Sequence, residues 1–595
     1  MSFKKRTHNC GELRPESEGL DVTLNGWIST VRDLGGMYFL DMRDRWGVTQ
    51  IVIEPEFQPE LAERAKELRS EFVMSVSGKV RMRENPNKNI PTGLIEILAE
   101  DFEILNKSET PPFEIIDDLD TNEETKLKYR FLDLRRPVLQ NYLLVRNQLY
   151  QVAHKYFAKE NFVEIETPYF MKSTPEGARD FLVPSRINKG RFYALPQSPQ
   201  LYKQILMISG YDRYMQIVKC FRDEDLRSDR QPEFTQIDCE MSFVEQDDVM
   251  AMAEGFIIDL WKDVLDYDVA PNFRRLTFDE AMTRYGSDKP DLRFGMHIET
   301  ITDIVKECGF KVFADTAKNG GEVALLNAKG AAKDYSRKKI DALTEFAKKH
   351  GAKGLAWMKI VDGKVNSPIA KFFDELEIAK IISAAEAEEN DLLLFSSDKW
   401  FGCYNVLGQL RLEIARQTGI MDKVKGKYEF AWVTDFPLFE YDEEEDRYIA
   451  MHHPFTSPLD SDIDKLDGDP TGLHAKAYDM VINGAEVGGG SIRIHDQEIQ
   501  KKMFSLLGLD QEEAEEKFGF LLSALKYGAP PHGGIAFGLD RLVMTLAGTD
   551  SIRDVIAFPK TTSGLSLMDG APSSVDVGQL EELGLALLKK DEEKE

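Results

Sequence analysis

The chain of 595 residues carries a formal net charge of −28, and 42% of its residues are hydrophobic. This length exceeds what one hydrophobic core supports, so about three or four domains are expected. There is no run of roughly eighteen apolar residues, and no apolar segment follows the basic first residues, so neither a membrane span nor a secretory signal is expected. The acidic balance disfavours non-specific polyanion binding, so a nucleic-acid partner would have to meet local basic patches. The five cysteines form no Cys-x-x-Cys pair and no zinc spacing, which favours reduced thiols in a cytoplasmic protein.

The first hundred residues contain short β-rich segments with turn signals between them. The expected elements are strands over 22–29, 37–44 and 48–53, a helix over 59–70, and strands over 72–81 and 92–98. Five strands with one helix between the third and the fourth predict an OB-fold barrel, which binds single-stranded nucleic acid by stacking bases on exposed aromatic rings. Alternation puts Tyr38 and Phe39 on opposite faces, so one of them is expected outside.

A linker and a long helix follow the predicted barrel. Residues 106–136 contain Pro111-Pro112 and an acidic run, and they end in the basic segment 127–136. The basic side chains of that segment could contact nucleic acid or form an exposed helix face. The apolar periodicity over 142–160 predicts an amphipathic helix.

The segment 214–238 alternates between β-rich and charged stretches. It predicts a strand that ends near Arg222, a polar loop, and an antiparallel return strand that carries Phe234. A guanidinium held at a strand end offers a fixed fork to an α-phosphate or a carboxylate. The ring of Phe234 offers a face on which a base can stack. A solvated surface hairpin is an equally good interpretation of these residues alone.

The second half begins with an α/β module over 293–425. Within it we expect helices over 298–308 and 338–350 and strands over 354–359 and 391–396, and we find no catalytic pattern. Beyond the module, the turn residues Asn483-Gly484 predict a hairpin that brings Asp479 and Glu486 together. Two converging carboxylates form a candidate Mg²⁺ site, and two unrelated surface acids are the alternative. An acidic helical tail is expected over 580–595.

Three motifs in order carry a resemblance to a known family. Phe162-Val163-Glu164-Ile165-Glu166-Thr167-Pro168 resembles motif 1 of the class II aminoacyl-tRNA synthetases. Arg222-Asp223-Glu224 followed by Arg230-Gln231-Pro232-Glu233-Phe234 resembles motif 2, and Gly533-Gly534-Ile535-Ala536-Phe537-Gly538-Leu539-Asp540-Arg541 resembles motif 3. Over nearly the whole chain, the sequence is also similar to the bacterial aspartyl-tRNA synthetase family.

The resemblance implies a multidomain α/β protein with an N-terminal OB-fold, a catalytic antiparallel sheet and an inserted α/β domain. The implied bounds are 1–107 for an anticodon-binding barrel, 108–140 for a hinge, 141–292 and 426–562 for the catalytic domain, 293–425 for the insertion and 563–595 for an extension. It also implies a cytoplasmic ligase, homodimeric through motif 1, that uses ATP and Mg²⁺ to join L-aspartate to tRNA-Asp through aspartyl-adenylate. Positioning and charge neutralisation suffice for adenylate formation without a covalent enzyme intermediate.

The resemblance also implies roles for individual residues. Arg222 would hold the α-phosphate and the reacting carboxylate, and Arg541 the γ-phosphate. The other ATP positions would be Asp223, Glu224, Gln231, Phe234, Glu486, Gly538, Leu539 and Asp540, with Asp479 and Glu486 on the metal. The aspartate positions would be Glu176, Gln200, Leu201, Tyr202, Lys203, Asp238, His452, His453 and Arg493.

The resemblance implies a separate role for each group of aspartate-binding residues. Arg493 and Lys203 would clamp the side-chain carboxylate, while Glu176, Gln200 and Asp238 would hold the ammonium. The adjacent His452 and His453 would belong to a closing loop, because no third ligand at suitable spacing supports a zinc site. Asparagine would leave both clamping cations unpaired, so discrimination without editing is expected.

On the barrel, the positions that match the family's anticodon contacts are Arg32, Phe39, Gln50 and Glu96. Leu34 stands where relatives that also charge tRNA-Asn carry histidine, so strict use of tRNA-Asp is favoured over a relaxed enzyme. Asparaginyl and lysyl enzymes are disfavoured by Arg493 and the large insertion. A catalytically dead regulator and a tRNA-independent amide ligase are the alternatives from other classes. The intact arginines and carboxylates argue against the first, and the barrel argues against the second.

Overall fold

The computed structural model describes residues 3–174, 178–226, 229–442 and 446–588. The chain divides into two compact units, Met1–Leu144 with Arg553–Ser573 and Val145–Ile552 with Ser574–Glu595. Among the described residues, no helix is both long and apolar enough to cross a bilayer.

The first unit contains a closed five-stranded barrel. Its elements are β1 (Asp21–Leu34), β2 (Met37–Asp44), β3 (Gly47–Ile53), α1 (Pro59–Ala65), β4 (Val73–Met82) and β5 (Ile95–Asn106). The strands are hydrogen-bonded in the order β1-β2-β3-β5-β4, which confirms the predicted OB-fold. Side chains that alternate along β1, such as Val22, Leu24 and Ile28, fill the barrel core. Tyr38 points inward and is buried, whereas Phe39 is half-buried on the other face, as the alternation requires.

The basic segment after the barrel forms two short helices, and one of its arginines is buried. It forms α2 (Glu123–Lys128) and α3 (Arg130–Asp133), and α4 (Pro137–Lys159) follows as the predicted long helix. Arg130 is only 4% exposed, and its guanidinium donates to the carbonyls of Arg553, Ile556 and Ala557 at 2.8–2.9 Å. Neither expectation for the basic segment therefore holds for this residue, because a buried guanidinium must have its donors satisfied by protein acceptors.

The second unit is built on an eight-stranded sheet with the order β11-β17-β20-β21-β22-β10-β9-β6. All of its strand pairs are antiparallel except β11 with β17 and β6 with β9. The elements before the insertion are β6 (Val163–Glu164), β7 (Leu182–Pro184), β8 (Phe192–Ala194), α5 (Gln200–Ile208), β9 (Arg213–Phe221), β10 (Glu233–Ser242), α6 (Gln246–Leu265), β11 (Arg274–Thr277) and α7 (Phe278–Tyr285). Of the motif 1 segment, Val163 and Glu164 alone form a strand, beside β9.

The insertion forms its own five-stranded sheet, of order β12-β13-β16-β14-β15. Its elements are β12 (Ile298–Thr300), α8 (Thr302–Val305), α9 (Lys311–Lys318), β13 (Glu322–Ala328), α10 (Arg337–Lys349), β14 (Ala356–Val361), β15 (Lys364–Asn366), α11 (Glu375–Ala384), β16 (Leu392–Asp398), α12 (Trp400–Gln417) and α13 (Ile420–Lys423). The helix expected over 298–308 is wrong. The β-branched Ile298 and Thr300 pair with β13 as an edge strand, and only the short α8 follows.

The remaining elements complete the large sheet and cover it. They are β17 (Phe430–Thr434), β18 (Phe439–Asp442), β19 (Arg447–Ala450), β20 (Ala477–Ile482), β21 (Ala485–Ile492), α14 (Gln497–Leu506), α15 (Gln511–Leu525), β22 (His532–Gly538), α16 (Leu539–Ala547) and α17 (Val577–Leu583). The helix expected over 580–595 is shorter and starts earlier, since α17 ends at Gly584 in the left-handed conformation with φ 72°. Residues 589–595 of that prediction lie outside the described part of the chain.

Candidate active site

A cavity of 490 Å³ lies on the central strands of the large sheet and on the loops beside them. Fifteen predicted site residues line it: Gln200, Lys203, Arg222, Glu224, Gln231, Phe234, Asp238, His452, His453, Asp479, Glu486, Arg493, Gly538, Asp540 and Arg541. The strands β9 and β10 are distant in sequence from β20, β21 and β22, so the antiparallel pairing of β10 with β22 is what assembles the cavity.

Arg222 and Phe234 face each other where β9 and β10 begin to separate. Phe234 pairs with Cys220, and Phe221 pairs with Glu233 at the end of the ladder. Arg222 lies two residues beyond Cys220 and is therefore on the same face as Phe234. The Arg222 guanidinium carbon lies 5.1 Å from the centre of the Phe234 ring, and both side chains are half-buried. Among the described residues, no carboxylate lies within ion-pair distance of Arg222. A cationic fork beside an open aromatic face can receive a phosphate and a base together.

Arg541 is fixed by the turn from β22 into α16. Its Nη1 donates to the carbonyl of Glu486 at 3.0 Å, and its guanidinium lies 3.6 Å from the Glu486 carboxylate and 3.5 Å from that of Asp229. The side chain is 30% exposed and lines the cavity, and the two carboxylates balance part of its positive charge.

Its neighbour Asp540 has a different role, because it ties elements together. The carboxylate is 3% exposed and accepts from Arg146 Nη1 at 2.5 Å and from the backbone N–H of Thr235 at 2.9 Å. It therefore holds β10 against the start of α16, which positions Arg541 and Phe234 relative to each other.

The predicted hairpin brings the carboxylates of Asp479 and Glu486 close together. Asn483 and Gly484 have φ values of 53° and 85°, as a two-residue hairpin turn requires. A bulge shifts the register so that Asp479 pairs with Gly489. A Cβ on Gly489 would lie 2.6 Å from Asp479 Oδ1 and 3.7 Å from Glu486 Oε1, so the missing side chain leaves room for both carboxylates.

The electrostatics of this pair fit a divalent cation. Burial first, and then the charge of Asp479, raise the pKa of Glu486, because two close carboxylates repel. The described residues contain no group of three or more His, Cys, Asp or Glu arranged for a metal. Two carboxylates match Mg²⁺, which keeps waters and takes substrate phosphates as its other ligands.

A buried four-residue charge network forms the floor of the cavity. Lys203 Nζ lies 2.6 Å from Asp238 Oδ1 and 3.3 Å from Glu240 Oε2. Arg493 forms a bidentate pair with Glu240, with Nε and Nη2 at 2.9 and 3.1 Å from its two oxygens. All four side chains are at most 3% exposed, so the two cations and two anions must balance one another.

Glu240 is the site residue that sequence reasoning missed. Burial opposes its ionisation, but Arg493 and Lys203 outweigh burial and lower the pKa of Glu240 to about 2. The available signal was the period of two along β10, which places Asp238 and Glu240 on the same face. By contrast, burial raises the pKa of Asp238 against the attraction of Lys203.

Two polar atoms on this floor have no hydrogen-bond partner among the described residues. Asp238 Oδ2 and Gln200 Nε2 are buried and make no hydrogen bond within the described ranges. A buried acceptor and donor of this kind can bind a polar group of a ligand.

The histidine pair lies at the side of the cavity. His453 Nε2 is 2.7 Å from Arg493 Nη1, and burial together with Arg493 keeps its pKa well below the ordinary value, so the ring is neutral. His452 packs edge-on against Phe436, and its Nε2 lies 3.7 Å from Asp479 Oδ1.

The other predicted positions do not line the cavity. Leu201 and Leu539 are fully buried in the core, because helix periodicity turns them away from the sheet face. Tyr202 packs near Phe520, and Asp223 is exposed, with its N–H bonded to the Arg179 carbonyl. Glu176 lies outside the described residues.

On the barrel, the four predicted contact residues form one strip. Arg32 lies opposite Phe39, and its Nη2 is within 3.1–3.4 Å of Asp41 and Gln50. Gln50 Nε2 donates to Glu96 Oε2 at 2.7 Å across the β3–β5 pair. The strip combines a cation, an aromatic ring and two held polar groups, which is a suitable set for unstacked bases.

Comparisons with known proteins place the chain in a family. The family model for tRNA synthetases class II (D, K and N) matches residues 122–562, and that for the OB-fold nucleic acid binding domain matches residues 22–105. The chain therefore belongs to the class II tRNA synthetases of this group.

Two similar proteins indicate where the chain belongs within this group. An aspartate–tRNA(Asp/Asn) ligase of Caldanaerobacter subterraneus is 56% identical over 98% of both chains, and an aspartate–tRNA ligase of Clostridium perfringens is 54% identical over 99% of this chain and 98% of the relative. Within the family, the chain is one of the aspartate–tRNA ligases. The asparaginyl-tRNA synthetase of Pyrococcus horikoshii has the same fold, with a TM-score of 0.57, 19% identity, and coverage of 93% of this chain and 98% of that one.

Proposed function

We propose that the protein attaches L-aspartate to tRNA-Asp in two steps, first forming aspartyl-adenylate from ATP and then transferring the aspartyl group to the 3′ end of the tRNA. The observation that carries the proposal is the cavity floor. Arg493 and Lys203 supply two buried cations for a side-chain carboxylate, and Asp238 Oδ2 is an open acceptor for an ammonium. Arg222 and Phe234 complete the site with a phosphate fork and a stacking face.

Aspartate fits this floor by charge. Its side-chain carboxylate would join Arg493 and Lys203, whose existing partners are buried acids, and its ammonium would donate to Asp238. Asparagine would bring no charge to the cations and would place an amide N–H₂ against donors. Because this would set the donors of the amide against the donors of the site, rejection of roughly 10⁴-fold is expected.

ATP would lie between the two arginines. Arg222 would hold the α-phosphate beside the attacking carboxylate, and Arg541 would neutralise the γ-phosphate. Phe234 would stack the adenine, with Glu224 and Gln231 at its edges. Asp479 and Glu486 would hold Mg²⁺, which would offset phosphate charge and fix its geometry.

The barrel would read the anticodon through Arg32, Phe39, Gln50 and Glu96. Leu34 lies at the end of β1, is 68% exposed, and favours strict use of tRNA-Asp. An enzyme that also aspartylates tRNA-Asn is the alternative. The domain bounds 1–107, 108–140, 141–292, 293–425, 426–562 and 563–595 belong to this proposal.

The protein would act in the cytoplasm as a homodimer. Apolar side chains around the motif 1 strand support an interface: Val163, Tyr169, Phe170, Leu182, Ile187, Phe192 and Tyr193 are 40–82% exposed. Phe170 stacks on Tyr193 at 5.3 Å, so the surface is preformed. Exposed apolar clusters of this kind typically mark protein interfaces.

Charging assays with labelled aspartate on transcripts of tRNA-Asp and tRNA-Asn test the proposal. We expect efficient charging of tRNA-Asp alone. Equal charging of both transcripts would contradict strict tRNA choice and establish the relaxed enzyme. Charging of neither, with adenylate formation intact, would mean that the barrel does not read either anticodon.

A further inference from the structure

The inserted module has two chemically different sides. Along β13, Ala324, Leu326 and Ala328 pack under α10 and α12, whereas Val323 and Leu325 pack under α8, α9 and α11. The helices therefore lie on opposite faces of the small sheet, three on one and two on the other.

Charge is divided between these sides. On the α10–α12 side, residues 329–353 contain eight Lys or Arg and three Asp or Glu, and residues 416–427 contain four basic residues and one acid. On the other side, residues 370–383 contain two basic residues and three acids. A cationic side on a protein of net charge −28 is a local departure from the overall field.

The two basic segments are neighbours. Tyr335 Oη donates to Gln417 Oε1 at 3.0 Å, and Lys329 and Lys423 line the same cavity of 600 Å³. Lys329 Nζ donates to the carbonyl of Glu386 at 3.1 Å. Within the described ranges, no carboxylate lies within ion-pair distance of Lys329, Lys333 or Lys423, and all three are exposed.

The cavity between them is amphipathic. Ala328, Ala331 and Ile414 give it an apolar floor, while Glu299 and Glu386 place carboxylates at its wall. Phosphates suit the lysines at the rim, a flat ring suits the floor, and exocyclic amino groups can donate to the carboxylates. This is the set of contacts that an unstacked nucleotide makes with proteins.

We propose that the α10–α12 side of the inserted module binds RNA, with its lysines on the phosphate backbone and one unstacked nucleotide in the cavity. The inference rests on the proposed function in taking tRNA-Asp as the RNA. It gives the insertion a role in holding the substrate outside the barrel and the catalytic cavity.

Binding of tRNA-Asp transcript to the full-length protein tests this. The variant Lys329→Gln/Lys333→Gln/Lys423→Gln should weaken binding roughly tenfold and lower the slope of log K against log salt by about 2 to 3. The control Lys311→Gln/Lys318→Gln/Lys380→Gln changes net charge equally on the other side and should leave both unchanged. Equal effects of the two variants, or no effect of the first, would overturn the proposal.

A second variant tests the cavity. Thr418 is exposed at its edge, and Thr418→Trp should fill it and weaken tRNA binding without changing the salt slope. Unchanged binding would rule out the seated nucleotide. If AMP binds tightly and Thr418→Trp abolishes that binding while tRNA binding stays intact, the cavity binds a free nucleotide and the RNA proposal is refuted.

Aspartate-dependent pyrophosphate exchange without tRNA separates this proposal from the function itself. Exchange should be equal in all variants, since none of the changed residues lines the catalytic cavity. Absence of exchange in the unaltered protein would refute the proposed function, whereas intact exchange with unaffected tRNA binding would refute only the RNA surface.

Discussion

Replacing Glu240 by glutamine removes the buried partner of Arg493 at nearly constant volume. The pair is bidentate, at 2.9 and 3.1 Å, and both side chains are at most 3% exposed. Loss of one partner leaves an uncompensated buried charge, which costs about 3–5 kcal/mol. We therefore expect Glu240→Gln to destabilise the region around β10 by that amount and to raise KM for aspartate, because Arg493 loses the group that orients it.

Hydrogen–deuterium exchange measures the effect locally, since the opening free energy of β10 amides reports the stability of that region. Glu512→Gln, an exposed change on α15, should alter the exchange of its own region by less than about 0.5 kcal/mol. The double variant Glu240→Gln/Arg493→Gln should lose clearly less than the sum of the two single losses, because both charges then leave together. Strict additivity, or unchanged β10 exchange in Glu240→Gln, would refute the buried pair.

The pH dependence of this pair has a defined sign. Arg493 and Lys203 lower the pKa of Glu240 to about 2 against the opposing effect of burial. The stabilisation is therefore complete above the ordinary carboxyl pKa of 4.5 and is lost as pH falls through about 2. The protection of β10 amides measured between about pH 5 and pH 8 should show no titration from this group.

Phe234→Leu should raise KM for ATP by roughly 5- to 100-fold, the cost of a lost base stack, and Phe234→Tyr should retain most of the affinity. Because the pKa of Glu486 is raised, the Mg²⁺ concentration needed for half-maximal exchange should increase as pH is lowered towards that pKa; a requirement independent of pH would contradict a metal role for this carboxylate. Gly489→Ala should also raise the Mg²⁺ requirement, since its Cβ would meet Asp479 Oδ1 at 2.6 Å, and normal Mg²⁺ dependence would count against the site. Phe39→Ala should lower tRNA charging roughly tenfold while sparing tRNA-free exchange, and equal loss in both assays would remove Phe39 from anticodon contact.

Sequence patterns predicted the elements whose signals are local. The alternation of β1 to β5 gave the barrel, and the Asn483-Gly484 turn gave the hairpin that joins the two acids. These features depend on residues that are close together in the sequence and on the residue types at turns, so the sequence alone is enough to predict them.

The features that the sequence did not reveal depend on contacts between distant segments. Glu240 is indistinguishable from a surface acid until the sheet places β10 beside β22 and brings Arg493, just after β21, within bonding distance of it. Arg130 was misjudged because its acceptors are carbonyls 423 to 427 residues away. The misassigned helix over 298–308 shows tertiary pairing with β13 overriding a short local pattern.

Amino-acid-dependent ATP–pyrophosphate exchange, run without tRNA on aspartate, asparagine and lysine in parallel, tests the central claim most directly. A cavity floor with two buried cations and an open acceptor on Asp238 predicts exchange with aspartate alone. Exchange with asparagine would contradict the roles of Arg493 and Lys203, and exchange with none of the three would contradict an adenylating site that functions without tRNA.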